Sequence, residues 1–163
     1  ECRKAARLLS NFDKSLPADT LGDISEDVFQ RYGEKLPNHL YRRAAHFYSE
    51  TARVHDGLDA WRQGNIETFG NLMFASCRSS VEQYECGSQA IHDLQQIVSQ
   101  TDGIIGSRFS GGGFGGCVVG LVEASKAEEA ARNIRITYQK RHPEVADQAA
   151  VYLAESEGGV RFL

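Results

Sequence analysis

Apolar residues along the first hundred positions recur at three- and four-residue steps, and beyond position 103 that spacing gives way to short continuous runs. Ala5, Ala6, Leu8 and Leu9 supply one helix face over Glu1 to Ser10. The segment opens without a capping residue, so it reads as the end of a helix begun upstream. Asn11 to Asp23 is a connecting region, and Asp23-Ile-Ser-Glu26 opens a short helix near Ser25 to Tyr32 that Gly33 and Pro37 end. Leu40, Ala44, Phe47, Val54, Leu58 and Trp61, with Thr51 in the one polar place, then predict an amphipathic helix of about seven turns. Asn38 is its expected N-cap and Gly64 its stop. Past the Gly64-Asn65 turn, Ile66, Phe69, Met73, Cys77, Val81 and Tyr84 mark a second helix, antiparallel to the first because the connection is so short. A third, about Ser88 to Gln100, carries Ile91, Leu94 and Val98.

The later runs predict strands. Ile104-Ile105 leads into a glycine stretch, and Cys117 to Val122 is short, apolar and β-branched, the pattern of a buried strand. Ser125 with Glu128 spells a capping box ahead of a helix through Ala127, Ala130, Ala131, Ile134 and Tyr138 that stops near His142-Pro143. Ala149 to Ala154 and Val160 to Leu163 read as two more strands around a turn at Glu157-Gly158-Gly159. The resulting expectation is an α+β fold: an antiparallel sheet of about four strands packed against helices, preceded by a helical hairpin, in one domain over 1–163.

Six of the eleven residues from Gly106 to Gly116 are glycine, which changes the picture from packing to chemistry. Glycine takes positive φ at no steric cost, and successive amides in such a turn can converge on an anion. A phosphate is the first ligand to consider, and a ligand-free glycine hairpin is the plain alternative. Gly111-x-Gly113-x-x-Gly116 matches the dinucleotide fingerprint, but that motif must open a helix and here a strand follows. No Gly-Lys-Ser/Thr closes a P-loop, and the Val-Ala-Ile-Lys, His-Arg-Asp and Asp-Phe-Gly parts of a protein kinase are absent.

Composition narrows the class further. With 18 Lys+Arg against 22 Asp+Glu, the net charge of −4 gives no support to nucleic-acid binding. No apolar run reaches the roughly 20 residues a membrane helix needs. Cys2, Cys77, Cys86 and Cys117 lack metal-ligand spacing, and His39, His46, His55, His92 and His142 form no nucleophile or metal pattern. A reduced, cytoplasmic protein with no metal site of its own is expected.

The segment Gly106-Ser-Arg-Phe-Ser-Gly-Gly-Gly-Phe-Gly-Gly-Cys-Val-Val-Gly-Leu-Val122 closely resembles the third, C-terminal motif of the GHMP small-molecule kinases in its galactokinase form. Glu1-Cys-Arg-Lys-Ala-Ala-Arg7, Leu40-Tyr-Arg-Arg-Ala-Ala-His46, Glu50-Thr-Ala-Arg53 and Asn71-Leu-Met73 resemble galactokinase helices as well, so the likeness covers nearly the whole chain. Tyr84-Glu-Cys-Gly87 and Trp61-Arg-Gln-Gly-Asn-Ile66 are instead similar to the galacturonokinase and arabinokinase branch. Phe114-Gly115-Gly116 departs from that branch, which usually has Arg in the middle place.

The resemblance implies the C-terminal part of an ATP-dependent sugar kinase acting on the anomeric C1 hydroxyl of galactose or a related sugar such as galacturonate. It implies that Ser110, Gly111, Gly112, Gly113, Phe114, Gly115 and Gly116 close over sugar and terminal phosphate. Gly113 and Gly115 are the positions expected to tolerate a side chain least, and Arg108 either adds charge to the cradle or faces solvent. The nucleotide loop, the Mg²⁺ ligands and the catalytic Asp belong to the N-terminal half in this family, and none of those motifs occurs here. This chain alone is therefore expected to be inactive, with no catalytic residue of its own and the N-terminal half as its partner. A catalytically inactive sugar and ATP sensor, or a ligand-free domain, are the other readings.

Overall fold

The structure is a computed structural model, and the described residues are 1–14 and 17–155. Among these residues six α-helices and one two-stranded sheet follow in order: α1 (Cys2–Asp13), α2 (Glu26–Tyr32), α3 (Asn38–Arg62), α4 (Ile66–Glu82), α5 (Gln89–Gln100), β1 (Ile104–Phe109), β2 (Val118–Val122) and α6 (Ala127–Arg141). The α3–α4 turn forms as its sequence dictates. Gly64 takes φ 69° and Asn65 caps α4, its side-chain oxygen accepting from the Thr68 amide at 3.0 Å.

Three apolar clusters hold the elements. Ala5, Ala6, Leu9, Leu21, Leu36, Leu40, Ala44 and Tyr48 join α1 to the first half of α3, and partly buried Val28, Phe29 and Tyr32 pack α2 against them. Burial of a side chain such as Leu9 or Leu40 contributes about 1.5–3 kcal/mol. The Tyr48 hydroxyl donates toward the Leu21 and Ile24 carbonyls, fixing the connection before α2. Ile97, Val98, Ile134 and Tyr138 join α5 to α6. Cys77, Ile91 and Phe109 join α4, α5 and the end of β1.

The sheet is antiparallel, with Gly106 opposite Leu121, Arg108 opposite Val119 and Phe109 opposite Val118, and a bulge between Ile104 and Gly106. Its approach to α4 depends on two glycines facing each other. A Cβ on Gly106 would lie 2.4 Å from the Gly70 Cα, and one on Gly70 would lie 2.2 Å from the Ile105 carbonyl oxygen. Helix and strand backbones therefore touch directly, which anchors the strand leading into the glycine loop.

Several expectations are corrected. Two strands, not four, form among the described residues: Ala149 to Ala154 enters no ladder, its Tyr152 is 86% exposed, and Val160 to Leu163 lies outside the described residues. The run Cys117 to Val122 is not a fully buried strand, since Cys117 belongs to the loop and Val119 and Gly120 are exposed. A continuous apolar run fits cover on both faces, and the described elements cover only one. Pro37 rather than Asn38 precedes the first turn of α3. Ser125 makes no capping box, because a 3-10 turn over Ala124–Lys126 runs directly into α6. Along α3 the predicted stripe holds for Leu40 and Ala44, while Val54 is 62% exposed and Trp61 is 47% exposed. The second half of α3 turns Gly57 to α4, where the Phe69 ring packs against it.

Candidate active site

The Ser110 amide donates to the Cys117 carbonyl at 2.9 Å and closes the base of the glycine loop. Above that bond Gly111, Gly113, Gly115 and Gly116 take φ of 74°, 75°, 148° and 91°, values that L side chains rarely adopt. The four are not equivalent. A Cβ on Gly111 or Gly115 would meet nothing within 4 Å, whereas one on Gly113 would lie 2.8 Å from the Gly87 Cα and 3.1 Å from the Phe109 ring. Of the two positions expected to be least tolerant, Gly113 is limited by the protein itself and Gly115 by its backbone angle alone. The amides of Gly111, Gly112, Gly115 and Gly116 donate none of the backbone hydrogen bonds made among the described residues. Unpartnered, exposed donors on a glycine-rich turn can receive an anion. Phe114 stands at the tip, 75% exposed.

Beside the loop lies a cleft of about 420 Å³ between α3, α4 and the end of β1. Ser110, Gly111, Arg108, Glu50, Arg53 and Ser76 form its polar end, with Leu58, Phe69 and Met73 among its apolar walls. Arg108 does not turn to the cradle's glycines. Its Nη1 donates to Glu50 Oε1 at 3.0 Å and to Ser76 Oγ at 2.7 Å. Arg53 Nε donates to the other Glu50 oxygen at 2.8 Å, and its Nη2 to Ser49 Oγ at 2.9 Å. Burial pushes the Glu50 carboxyl up, but bonds from Ser76 and Arg53 and the charges of Arg53 and Arg108 outweigh it and hold the group below its ordinary range. Two guanidinium groups on one carboxylate leave this end of the cleft with a net positive charge.

His46 lies one turn before Glu50 on α3, its Nδ1 2.9 Å from Ser79 Oγ of α4. Burial lowers its pKa; the Glu50 charge opposes this, and the Arg53 and Arg108 charges add to it. Sequence patterning alone gave no role to Glu50, Arg53 or His46. The signal for the first two was the polar spacing Glu50-x-x-Arg53 within an apolar helix pattern, a pair that one helix turn brings together.

The segment joining α4 to α5 supports the loop from below. Gly113 accepts a 2.7 Å hydrogen bond from the Ser88 amide. Gly87, at φ 102°, lies directly against Gly113, and the His92 ring fills its other side. Tyr84 and Cys86 sit in this support and not in the cleft. Among the described residues no group of three or more His, Cys, Asp or Glu side chains could hold a metal ion. The cradle's open amides can donate to an anion such as phosphate.

Residues 58–140, which include the loop, match the family described as GHMP kinases C terminal. The chain belongs to that family. Within the GHMP kinases it is similar to the galacturonokinase of Arabidopsis thaliana, 41% identical over 148 residues that cover 90% of this chain and 35% of the relative. The galactokinase of Roseiflexus sp. (strain RS-1) is 35% identical, covering 98% of this chain and 40% of the relative, and the human galactokinase is 31% identical, covering 100% and 38%. The chain thus spans about two-fifths or less of the length of these curated GHMP relatives. The solved structure of Lactococcus lactis galactokinase complexed with galactose matches with a TM-score of 0.73 at 26% identity, covering 86% of this chain and 36% of that one. This is a GHMP C-terminal domain of the galactokinase and galacturonokinase type, and none of its described helices is long and apolar enough to cross a membrane.

Proposed function

We propose that the intact protein is an ATP-dependent sugar 1-kinase, with residues 1–163 as its C-terminal domain, and that galacturonate is its first substrate and galactose the runner-up. The observation that carries this reading is the cradle of open amides at Gly111, Gly112, Gly115 and Gly116, four exposed glycines in a loop set between two strands. Phosphoryl transfer depends on positioning and on stabilising the charge that spreads over the transferred group. Amides supply that stabilisation without adding a competing nucleophile. ATP, with Mg²⁺, supplies the phosphoryl group when bound. The residues here hold and orient: Ser110 and the glycines from Gly111 to Gly116 bind phosphate and sugar oxygens, and Phe114 covers them.

No Asp or Glu lies between Gly103 and Val122, so the loop has no base of its own. The base and the metal ligands then come from an N-terminal half, and the chain alone has no turnover. Galacturonate is placed first because of the higher identity to a galacturonokinase and the Tyr84-Glu-Cys-Gly87 signature. The positive end of the cleft also suits an acidic sugar.

The test is to assay the intact protein with ATP against galacturonate, galactose and arabinose, scoring sugar 1-phosphate. Formation of galacturonate 1-phosphate with the highest kcat/KM is the expected result. Binding of sugar and ATP without any phosphorylated product would overturn the enzyme reading in favour of a sensor.

A further inference from the structure

Arg43 lies far from the loop in sequence, is 7% exposed, and plays no part in the cleft. Its Nε donates to Glu1 at 2.6 Å, its Nη1 to the Gln83 carbonyl at 2.6 Å, and its Nη2 to Glu85. Arg42, next to it on α3, donates to the other Glu85 oxygen at 2.9 Å and to the Glu82 carbonyl. Both arginines therefore grip the connection between α4 and α5, and both hold Glu85.

Glu85 sits at φ 57°, and Lys14 is the only other non-glycine residue at positive φ among the described residues. An L side chain is disfavoured there and persists only where its surroundings impose it. Two residues on, Gly87 lies against Gly113, and the Ser88 amide holds the Gly113 carbonyl at 2.7 Å. Gly113 is the one buried residue between Ser110 and Cys117. Gly113 of the glycine loop is thus seated on a turn whose left-handed residue is held by two arginines.

We propose that Arg43 is a positioning residue of the glycine loop, acting through Glu85, Gly87 and Ser88 to set where Gly113 and the amides beside it stand. The inference rests on the kinase reading for its catalytic consequence and on geometry alone for its structural one. A shift of about 1 Å in a positioning element can lower turnover by about 100-fold. Arg43→Met removes the grip, and Glu85→Ala leaves a strained residue with nothing to hold it. Glu85→Gly removes the same carboxylate but takes φ 57° freely, so it restores the turn.

In the intact protein, Arg43→Met and Glu85→Ala are expected to lower kcat by tenfold or more with sugar KM changed less than twofold. Glu85→Gly is expected to stay within about threefold of wild type, and Arg43→Lys to fall between. Tyr48→Phe, which loses bonds remote from the loop, is the control: it lowers Tm and keeps kcat. Wild-type kcat per folded molecule in Arg43→Met, or equal loss in Glu85→Ala and Glu85→Gly, overturns the proposal. Should Arg43→Met fail to fold, the comparison of the two Glu85 variants, whose side chain is exposed, decides.

Amide exchange at Ser88 gives a readout that needs no turnover. Exchange faster in Glu85→Ala and restored in Glu85→Gly supports the positioning role even if no sugar is phosphorylated, and unchanged exchange in both overturns it. An inactive wild type with this exchange pattern would refute the kinase reading alone.

Discussion

Gly87 and Gly113 meet Cα to backbone, close enough that a methyl group on Gly113 would stand 2.8 Å from the Gly87 Cα. That contact makes Gly113 part of the packed interior, although the loop around it is open. Gly113→Ala is expected to lower stability by at least about 1–2 kcal/mol from its backbone angle alone, with the clash adding to this. Urea unfolding of the intact protein measures it, and an unchanged midpoint would refute the contact. Gly113→Val accordingly tests packing before it tests catalysis.

Gly112 separates the two effects. It lies outside the left-handed region, and a Cβ there would meet nothing closer than 3.7 Å. Gly112→Ala should leave the unfolding midpoint within about 0.5 kcal/mol of wild type. A tenfold or greater fall in kcat/KM would then report direct approach of ligand to this position, measured by steady-state assay of the intact protein.

Glu50 balances Arg53 and Arg108 in a half-buried site. Glu50→Gln should destabilise the protein by about 1–2 kcal/mol, less than a fully buried pair because water still reaches the cleft. The expected signature is coupling: in a cycle with Arg108→Gln, the double variant loses less than the sum of the single losses. Additive losses would contradict the network.

Gly70 and Gly106 carry the contact between α4 and β1. Gly106→Ala is expected to cost more than the usual 1–3 kcal/mol of overpacking, because the obstacle is backbone and cannot rotate away. Thermal unfolding should show a large drop in Tm.

The clasp between α5 and α6 predicts pH dependence. His142 Nε2 lies 2.9 Å from Asp93 Oδ2, with Glu144 at 3.1 Å from Nδ1 and Arg141 at 2.8 Å from Asp93. The Glu144 bond and then the Asp93 bond raise the His142 pKa above its ordinary 6.5. Its contribution is therefore full below pH 6.5 and is lost as pH rises through the higher folded value. Burial pushes Asp93 up, but bonds from Gln89 and His142 and the Arg141 charge take it below 3.8, so its share is lost as pH falls through that lower value. Stability should decline from pH 6 to pH 8.5, and His142→Gln should flatten that decline in urea titrations at the two pH values.

Much of the helical layout was legible because periodicity and caps are local. The Gly64-Asn65 turn needed only a positive φ and a side-chain oxygen, both set by residue type. The helix starting near Ser88 and the strand after Gly103 were legible for the same reason. The second half of α3 was legible only in part: Trp61 of the stripe meets the Phe69 ring of α4, but Val54 and Leu58 border the open cleft, and the close approach comes from Gly57 against the same ring, a contact the one-dimensional pattern does not contain. The sheet was over-read at Ala149 to Ala154, since an apolar segment becomes a strand only with a partner beside it.

By itself the sequence determined that a glycine-dense turn between two strands follows a helical hairpin, because glycine content, apolar period and turn chemistry are properties of neighbouring residues. Tertiary structure decided which glycine does what. Gly111 and Gly115 stand open, while Gly113 is seated on Gly87, two residues from the arginine-held Glu85, and Arg108 is drawn to Glu50 although the two are 58 positions apart. Those differences arise from close approach and charge pairing between distant segments, which only the folded backbone brings within reach.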